Sequence, residues 1–434
     1  MVAVPLVSFG CKLAASRRRA LRCAAVGSAW AAWLLAAGVG CGDDAPPRAL
    51  RFRKITLTES FHAESAALGD LDRDGSTDVV VGPYWYAGPA FQRRYPIYPA
   101  VDFDPLAYSN NFMTEVADVD GDGWLDVLVN QWPGEAVSWF RNPGAGGVHA
   151  AAPWPRHLVH PAVDNESPAL WPLAGVGAGA ALLFHTGGAV GVAVPGPSPS
   201  TEPWTFCPLS AREGLGQYTH GLGAGDVNGD GRPDVLMASA WWEQPADAQP
   251  GVGCAPALWR KHPQAFGAGG AQMHAYDVDG DGDGDVITSL AAHGHGLSWF
   301  EQTQEDGALA FVEHPILPAQ PEASLDGVQF SQLHALALVD VDGDGLKDLV
   351  TGKRFWAHGP HGDADPSGAP VLYWFQLTRS GAGAGGVRYL PHLIDDASGV
   401  GTQLAVGDVS GDGRPDVVIG NKRGAFVFVQ LAPR

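Results

Sequence analysis

A nine-residue acidic pattern, D-x-[D/N/S]-x-D-G-x-x-D, recurs six times along this 434-residue chain. Its copies contain Asp70, Asp72, Asp74 and Asp78; Asp118, Asp120, Asp122 and Asp126; Asp226, Asn228, Asp230 and Asp234; Asp277, Asp279, Asp281 and Asp285; Asp340, Asp342, Asp344 and Asp348; and Asp408, Ser410, Asp412 and Asp416. Side-chain oxygens at positions 1, 3 and 5 of a tight turn converge on one point, and a hard cation with oxygen ligands is the natural occupant. Position 6 is always glycine, as in Gly75 and Gly413, where the backbone conformation resists a side chain. Position 9 is always Asp and supplies a further oxygen. A helical calcium hand would place Glu at position 12, but β-branched runs such as Val79–Val81 and Val417–Ile419 follow instead. The expectation is therefore about six calcium ions held in turns between strands, bracing the fold and doing no chemistry.

A second set of residues carries more varied chemistry. Glu64, Phe112, His220, His334 and Thr402 each stand six positions before the first aspartate of a turn, with His62, Asn111 and Glu166 close by. After the strand that follows each turn come Trp85, Trp132, Trp242, His293, His295, Lys353, Arg354, His358 and Lys422. If the acidic turns share one face of a domain, both groups gather on the opposite face. Tryptophan faces beside polar groups suit sugar rings, so Trp85, Asn111, Trp132, Trp242, His293, His295 and His358 are the candidate ligand contacts. Histidines with a carboxylate can hold a metal or move protons. His62, Glu166, His220 and His334 are therefore candidate acids, bases or ligands of an additional divalent metal, with Lys353 and Arg354 placed to steady an enolate.

The elements that must position these residues follow from the spacing. First aspartates lie 48, 108, 51, 63 and 68 residues apart. Such periods indicate a propeller or a solenoid, and the long gap hides a unit without its acidic turn, placed at 169–194. The 58 glycines and 34 prolines punctuate many short strands. Each unit ends in a similar strand, as at Trp259–His262 and Phe311–His314, and an extra copy, Phe52–Leu57, precedes the first turn. The last unit stops one strand short after Phe426–Leu431. The early strand can complete it, which removes the exposed sheet edges. The expected fold is all-β: a seven-bladed β-propeller over 52–434, with four-stranded blades and a ring closed by the N-terminal strand. Aromatics of the third strands, Trp139, Trp299 and Trp374, are expected in the core between blades. The histidines of the outer strands, His157, His262, His314 and His392, are read as structural.

Composition limits the partners. The formal charge is −20, and 23 of the 47 acidic residues lie in the six turns. A chain this acidic does not suit a phosphate backbone, so nucleic acid is excluded. No nucleophile elbow, zinc-helix motif or phosphate-cradling glycine loop is present. Residues 1–41 read as an export signal. Lys12 and Arg17–Arg22 precede the apolar run Cys23–Val39, and Cys41 follows Gly40 as in a lipoprotein signal. Ser16–Arg22 is similar to a twin-arginine signal. Lipidated Cys41 would then be the only membrane attachment of a periplasmic, outer-membrane or cell-surface protein, with 42–51 as a linker. Cys207 and Cys254 remain, either as a disulfide or as two free thiols.

The acidic turns resemble the FG-GAP or VCBS repeat family, whose units form integrin-like propellers. A narrower resemblance lies in Gly82–Gly88, Thr351–His358 and Gly399–Thr402, which look like the bacterial relatives of the aldos-2-ulose dehydratase propeller. That resemblance implies removal of water from an oxidised sugar, without the cupin domains of the fungal enzyme. Two expectations result: a propeller that binds a glycan, sugar-derived ligand or surface protein at the mouth opposite the calcium turns, or a carbohydrate lyase acting there.

Overall fold

The structure is a computed structural model and describes residues 50–171, 181–198, 200–247, 254, 257–324, 326–381 and 383–433. Position 9 of each acidic turn opens a strand: Asp78–Val81, Asp126–Asn130, Asp234–Met237, Asp285–Ser289, Asp348–Gly352 and Asp416–Asn421. All these residues are buried. Strands covered on both faces read as continuous apolar runs, which explains sequences such as Asp78-Val79-Val80-Val81.

These strands belong to antiparallel meanders. Five are separate four-stranded sheets, at 67–96, 113–160, 169–212, 336–395, and one in which 404–431 is joined by Arg51–Thr58. The remaining eight strands, within 222–317, form one sheet. In it two antiparallel meanders meet where Leu222 and Gly223 pair in parallel with Gln272 and Met273. Gly223 permits this contact, because a Cβ there would lie 1.9 Å from the carbonyl oxygen of Met273. The protein is thus all-β with a propeller arrangement of sheets, and its strand pairing gives five isolated blades rather than seven. The unit without an acidic turn is present as the 169–212 sheet.

Hydrophobic side chains fill the spaces between successive meanders. Trp85, Val80 and Ile97 meet Val127, Phe140 and Trp154. Trp139 meets Phe184 and Trp204, and Val192 meets Trp242 and Trp259. Within the eight-stranded sheet, Trp241 and Leu236 pack on Met273 and Phe300. Further cores join Trp299 to Phe375 and Trp374 to Phe428. The last core joins Val427 and Val418, with Ile55 of the earliest strand, to Val79 and Tyr86. Full burial of each large apolar side chain is worth about 1.5–3 kcal/mol, so these interfaces hold the sheets face to face.

The earliest strand pairs along its length with Gly424–Leu431, from Arg51 opposite Leu431 to Thr58 opposite Ala425. Inner strands are braced by amides that cross between sheets. Gln403 accepts from Thr114 N at 2.8 Å, and Gln272 accepts from Leu336 N at 2.8 Å while donating to the Thr402 carbonyl at 3.1 Å. Cys207 and Cys254 form a disulfide, resolving the alternative that composition left open. The export signal, Cys41 and most of the linker lie outside the described residues. No helix among the described residues is long and apolar enough to cross a membrane.

Candidate functional site

Glu166, His220 and His334 sit just before the inner strands of three sheets, and His293 follows a second strand. All four therefore lie at the end of the ring opposite the acidic turns. Backbone hydrogen bonds stitch the loops that carry them. Glu166 N donates to Thr219 O at 3.1 Å, Ala292 N to Gly269 O at 2.9 Å, Gln332 N to Gly294 O at 2.7 Å and Arg354 N to Gln332 O at 2.9 Å. Gly401 completes this belt. A Cβ there would lie 2.1 Å from the Glu64 carbonyl oxygen, which instead accepts Thr402 N at 2.6 Å.

The belt brings four candidate ligands together. One donor atom each from Glu166, His220, His293 and His334 lies within 4.8 Å of all the others. Glu166 Oε2 is 3.0 Å from His334 Nε2 and 3.2 Å from His220 Nε2. These three buried atoms nevertheless lack a well-aligned hydrogen-bond partner among protein groups. Unsatisfied buried polar atoms are costly, and here they converge on a shared point. Burial pushes His334 down to about 3, aided by Arg354, so its ring is neutral and able to ligate. Burial works against ionisation of Glu166, but the adjacent His220 and His334 rings outweigh it and hold the carboxyl well below its usual range. Three imidazoles and one carboxylate suit a divalent transition metal rather than calcium.

A ring of charged groups surrounds this cluster. Arg354, 1% exposed, contacts Glu64 Oε2 and lies 3.8 Å from Glu166 Oε2. It therefore braces two carboxylates. Lys353 hydrogen-bonds Ser331 Oγ and lies 3.8 Å from Asp365. His358 Nδ1 is 2.7 Å from Asp363 Oδ1, and the other Asp363 oxygen accepts His358 N at 2.7 Å. The ring centres of His358 and His293 are 4.6 Å apart. His295 stands half-buried nearby, where burial and then Lys353 lower its pKa. An aromatic surface adjoins these groups: Trp132 lies 4.1 Å from Tyr108 and 5.5 Å from Tyr218 between ring centres.

Several expected site residues lie elsewhere. His62 Nδ1 is 3.0 Å from Val101 O, its ring packs on Tyr84, and it does not join the cluster. Trp85 and Trp242 are 0% and 2% exposed and pack in cores between sheets. Two-residue turns after the second strand carry each of them into the third strand. Trp132 remains at the mouth because a longer loop, 131–136, intervenes. Asn111 is fully buried: its Oδ1 accepts Ser65 Oγ and Thr114 Oγ1, and its Nδ2 donates to Tyr98 OH. The outer-strand histidines stack on tryptophans, as His262 does on Trp241 at 3.9 Å and His314 on Trp299 at 4.5 Å. Tyr108, Asp363 and Ser331 belong to long loops with no repeat register, and spacing gave no signal for them. Two cavities, of about 330 and 530 Å³, open beside Trp154 and beside Phe206. Neither includes the Glu166 cluster, which its donor atoms define.

At the opposite end, carboxylate oxygens of Asp70, Asp72 and Asp78 lie within 4.8 Å of one another, as do those of Asp118, Asp120 and Asp122, and of Asp277, Asp279 and Asp285. The position-1 aspartates also accept backbone N–H groups of their own turns, such as Gly75 N to Asp70 at 3.1 Å and Gly231 N to Asp226 at 2.8 Å. Position 9 has a second task. Asp78 accepts Leu71 N and Gly88 N, and Asp348 accepts Val341 N and Leu377 N, so each clips its turn to the sheet. In the second turn the Arg141 guanidinium sits 2.6 Å from Asp120 and 3.0 Å from Asp122, placing a built-in cation beside the carboxylates.

Residues 277–351 match the FG-GAP-like repeat family and residues 400–428 match the FG-GAP repeat family, so the chain carries FG-GAP repeats. No curated protein matches it in sequence. Among solved structures it is similar to an Agrocybe aegerita lectin described as recognising non-reducing terminal N-acetylglucosamine, at 15% identity over 88% of this chain and 86% of that one, with a TM-score of 0.43. It is also similar to a rhamnogalacturonan lyase, at 13% identity over 87% of this chain and 75% of that one, with a TM-score of 0.44.

Proposed function

We propose that this is an exported, calcium-braced propeller whose mouth binds a carbohydrate-derived substrate and, with a divalent transition metal, removes water from it. The eight-stranded sheet counts in this reading as two blades sharing an inner edge. A hydrophobic core between its two meanders supports that count, under which the blades would number seven. The clustered aspartates support calcium in the turns. The convergence of Glu166, His220, His293 and His334 carries the catalytic reading.

Glu166, His220, His293 and His334 would hold the metal, which would supply a Lewis acid for a substrate carbonyl. The protein's own groups provide the rest. Asp363 fixes His358 through two hydrogen bonds, leaving its Nε2 free to take the proton from the carbon beside that carbonyl. The C–H electron pair becomes the new C=C bond. The neighbouring C–O bond breaks towards oxygen, and the departing hydroxyl recovers the proton from His358 and leaves as water. Arg354 keeps Glu64 and Glu166 in place. Tyr108 and Trp132 offer the sugar an apolar face beside the reacting centre. A purely binding mouth would use the aromatic surface but has no task for three convergent imidazoles.

Elemental analysis of the purified chain tests the reading, with one transition metal per chain expected and its loss in Glu166→Ala and His334→Ala. A screen of 2-keto sugars, followed by ultraviolet absorbance of the unsaturated product, should show turnover that chelation abolishes. Turnover that persists at full rate in both metal-free variants would remove the metal from the mechanism, and no turnover of any keto sugar by the metal-loaded chain would remove the lyase assignment.

A further inference from the structure

We infer that the mouth takes a sugar acid and that Lys422 receives its carboxylate. This rests on the mouth being the sugar site proposed above, and it names the class of sugar. Lys422 stands in the turn after Asp416–Asn421 and is 4% exposed. Its backbone is fixed on both sides, since Asn421 Nδ2 donates to Ser398 O and Asn421 Oδ1 accepts Arg423 N, both at 2.8 Å. The Lys422 ammonium lies 4.4 Å from the ring centre of Tyr108 and 6.0 Å from that of Phe61.

Of the described cations Lys353, Arg354 and Lys422, only Lys422 has no acidic partner. Arg354 has Glu64 in contact and Glu166 at 3.8 Å, and Lys353 has Ser331 and Asp365. Asp363 is occupied by His358 and lies 3.4 Å from His293. Lys422 makes no hydrogen bond or ion pair with any described residue; its contacts are with aromatic faces. Burial pushes its pKa down to about 8, with Glu64 opposing, so it remains mostly cationic at neutral pH. Glu64, Asp363 and Asp104 act on this ammonium from a distance but none forms an ion pair with it; a buried charge without a direct partner is costly, and a single monoanionic group would satisfy it. Tyr108 supplies the link to the rest of the site. Lys422 lies over its ring, Trp132 packs against it at a 55° tilt, and the Arg354 guanidinium is 6.0 Å from its centre. A pyranose on Trp132 and Tyr108 therefore has Lys422 within reach of an exocyclic carboxylate. A divalent metal on the histidine cluster adds positive charge and favours an anionic substrate further.

Calorimetric titration of the full chain with D-galacturonate, D-glucuronate, methyl α-D-glucoside and D-glucose 6-phosphate tests this. The uronates are expected to bind at least tenfold more tightly than the neutral glucoside. Lys422→Gln should abolish that preference, and Lys422→Arg should keep it. Equal affinity for neutral and acidic sugars, preference for the phosphate, no binding of any of the four, or an unchanged preference in Lys422→Gln would overturn the inference. Should Lys422→Gln not fold, the wild-type preference and Lys422→Arg decide the matter. Metal content and turnover are measured on the same samples. Uronate preference without metal-dependent turnover removes only the lyase reading, whereas metal-dependent turnover without uronate preference removes only the role of Lys422.

Discussion

Gln403 reaches from one inner strand region to Glu115 on another, its Nε2 donating to Glu115 Oε1 at 3.1 Å. Glu115 keeps some contact with solvent, yet the surrounding protein is dense, and burial pushes its carboxyl up from 4.5 to about 7. Between those values the folded chain holds a proton that the unfolded chain has released. Stability therefore falls as pH rises through this window and stays lower above it. Glu115→Gln keeps the acceptor for Gln403 and removes the titration. Its melting temperature should match the wild type near pH 4 and exceed it at pH 8. A variant less stable than wild type at pH 8 would contradict this assignment.

Calcium removal should weaken the other end of the ring. With free ion at about 100 times Kd, each occupied turn adds about 2.7 kcal/mol. Chelation should lower the melting temperature, and the aspartates of the first turn, Asp70 and Asp72, should account for part of that shift when replaced by Asn. A thermal scan unchanged by chelator would argue against bound calcium.

Gly223→Ala should destabilise the fused sheet, because the added Cβ meets the Met273 carbonyl. Overpacking of this kind costs about 1–3 kcal/mol. Urea unfolding is the measurement, and Gly146→Ala, where no atom lies within 4 Å of the new Cβ, is the control. Equal midpoints for the two variants would show that the parallel contact is not maintained in solution.

Reduction of the Cys207–Cys254 disulfide should also lower stability. The bond spans 47 residues of sequence, and removing such a cross-link costs up to about 4 kcal/mol by chain entropy. Thermal melts with and without reductant, alongside Cys254→Ser, measure it. Insensitivity to reductant in the wild type alone would point to free thiols.

Repeat spacing made the fold legible because each acidic turn must sit in the same place in its sheet. The strand that each position-9 aspartate opens, the completion of 404–431 by Arg51–Thr58, and the unit at 169–212 all follow from that register. His220 and His334 were legible for the same reason, since both stand six positions before the first aspartate of a turn, whereas Glu166 belongs to the unit that lacks the turn. What register could not supply was the direction of each side chain in a loop. Trp85 and Trp132 occupy similar places after a second strand, but turn length sends one into a core and leaves the other at the mouth. Asp363 and Tyr108 lie in loops without counterparts in other units, and only folding brings them beside His358 and Lys422. The fusion of two meanders depends on one small residue, Gly223, and no periodicity distinguishes it from the protein's many other glycines.

The pairing of Arg51 with Leu431 sets an order of events during biogenesis. The strand that is synthesised first finds its partner last, after some 380 residues have been added, and joining ends so distant carries a large loop-closure cost. Until then the Arg51–Thr58 strand and the Gly424–Leu431 edge of the final sheet both stay unpaired. A chain held unfolded until synthesis is complete would avoid pairing those edges with the wrong neighbour, and truncation near either terminus should leave the molecule prone to self-association.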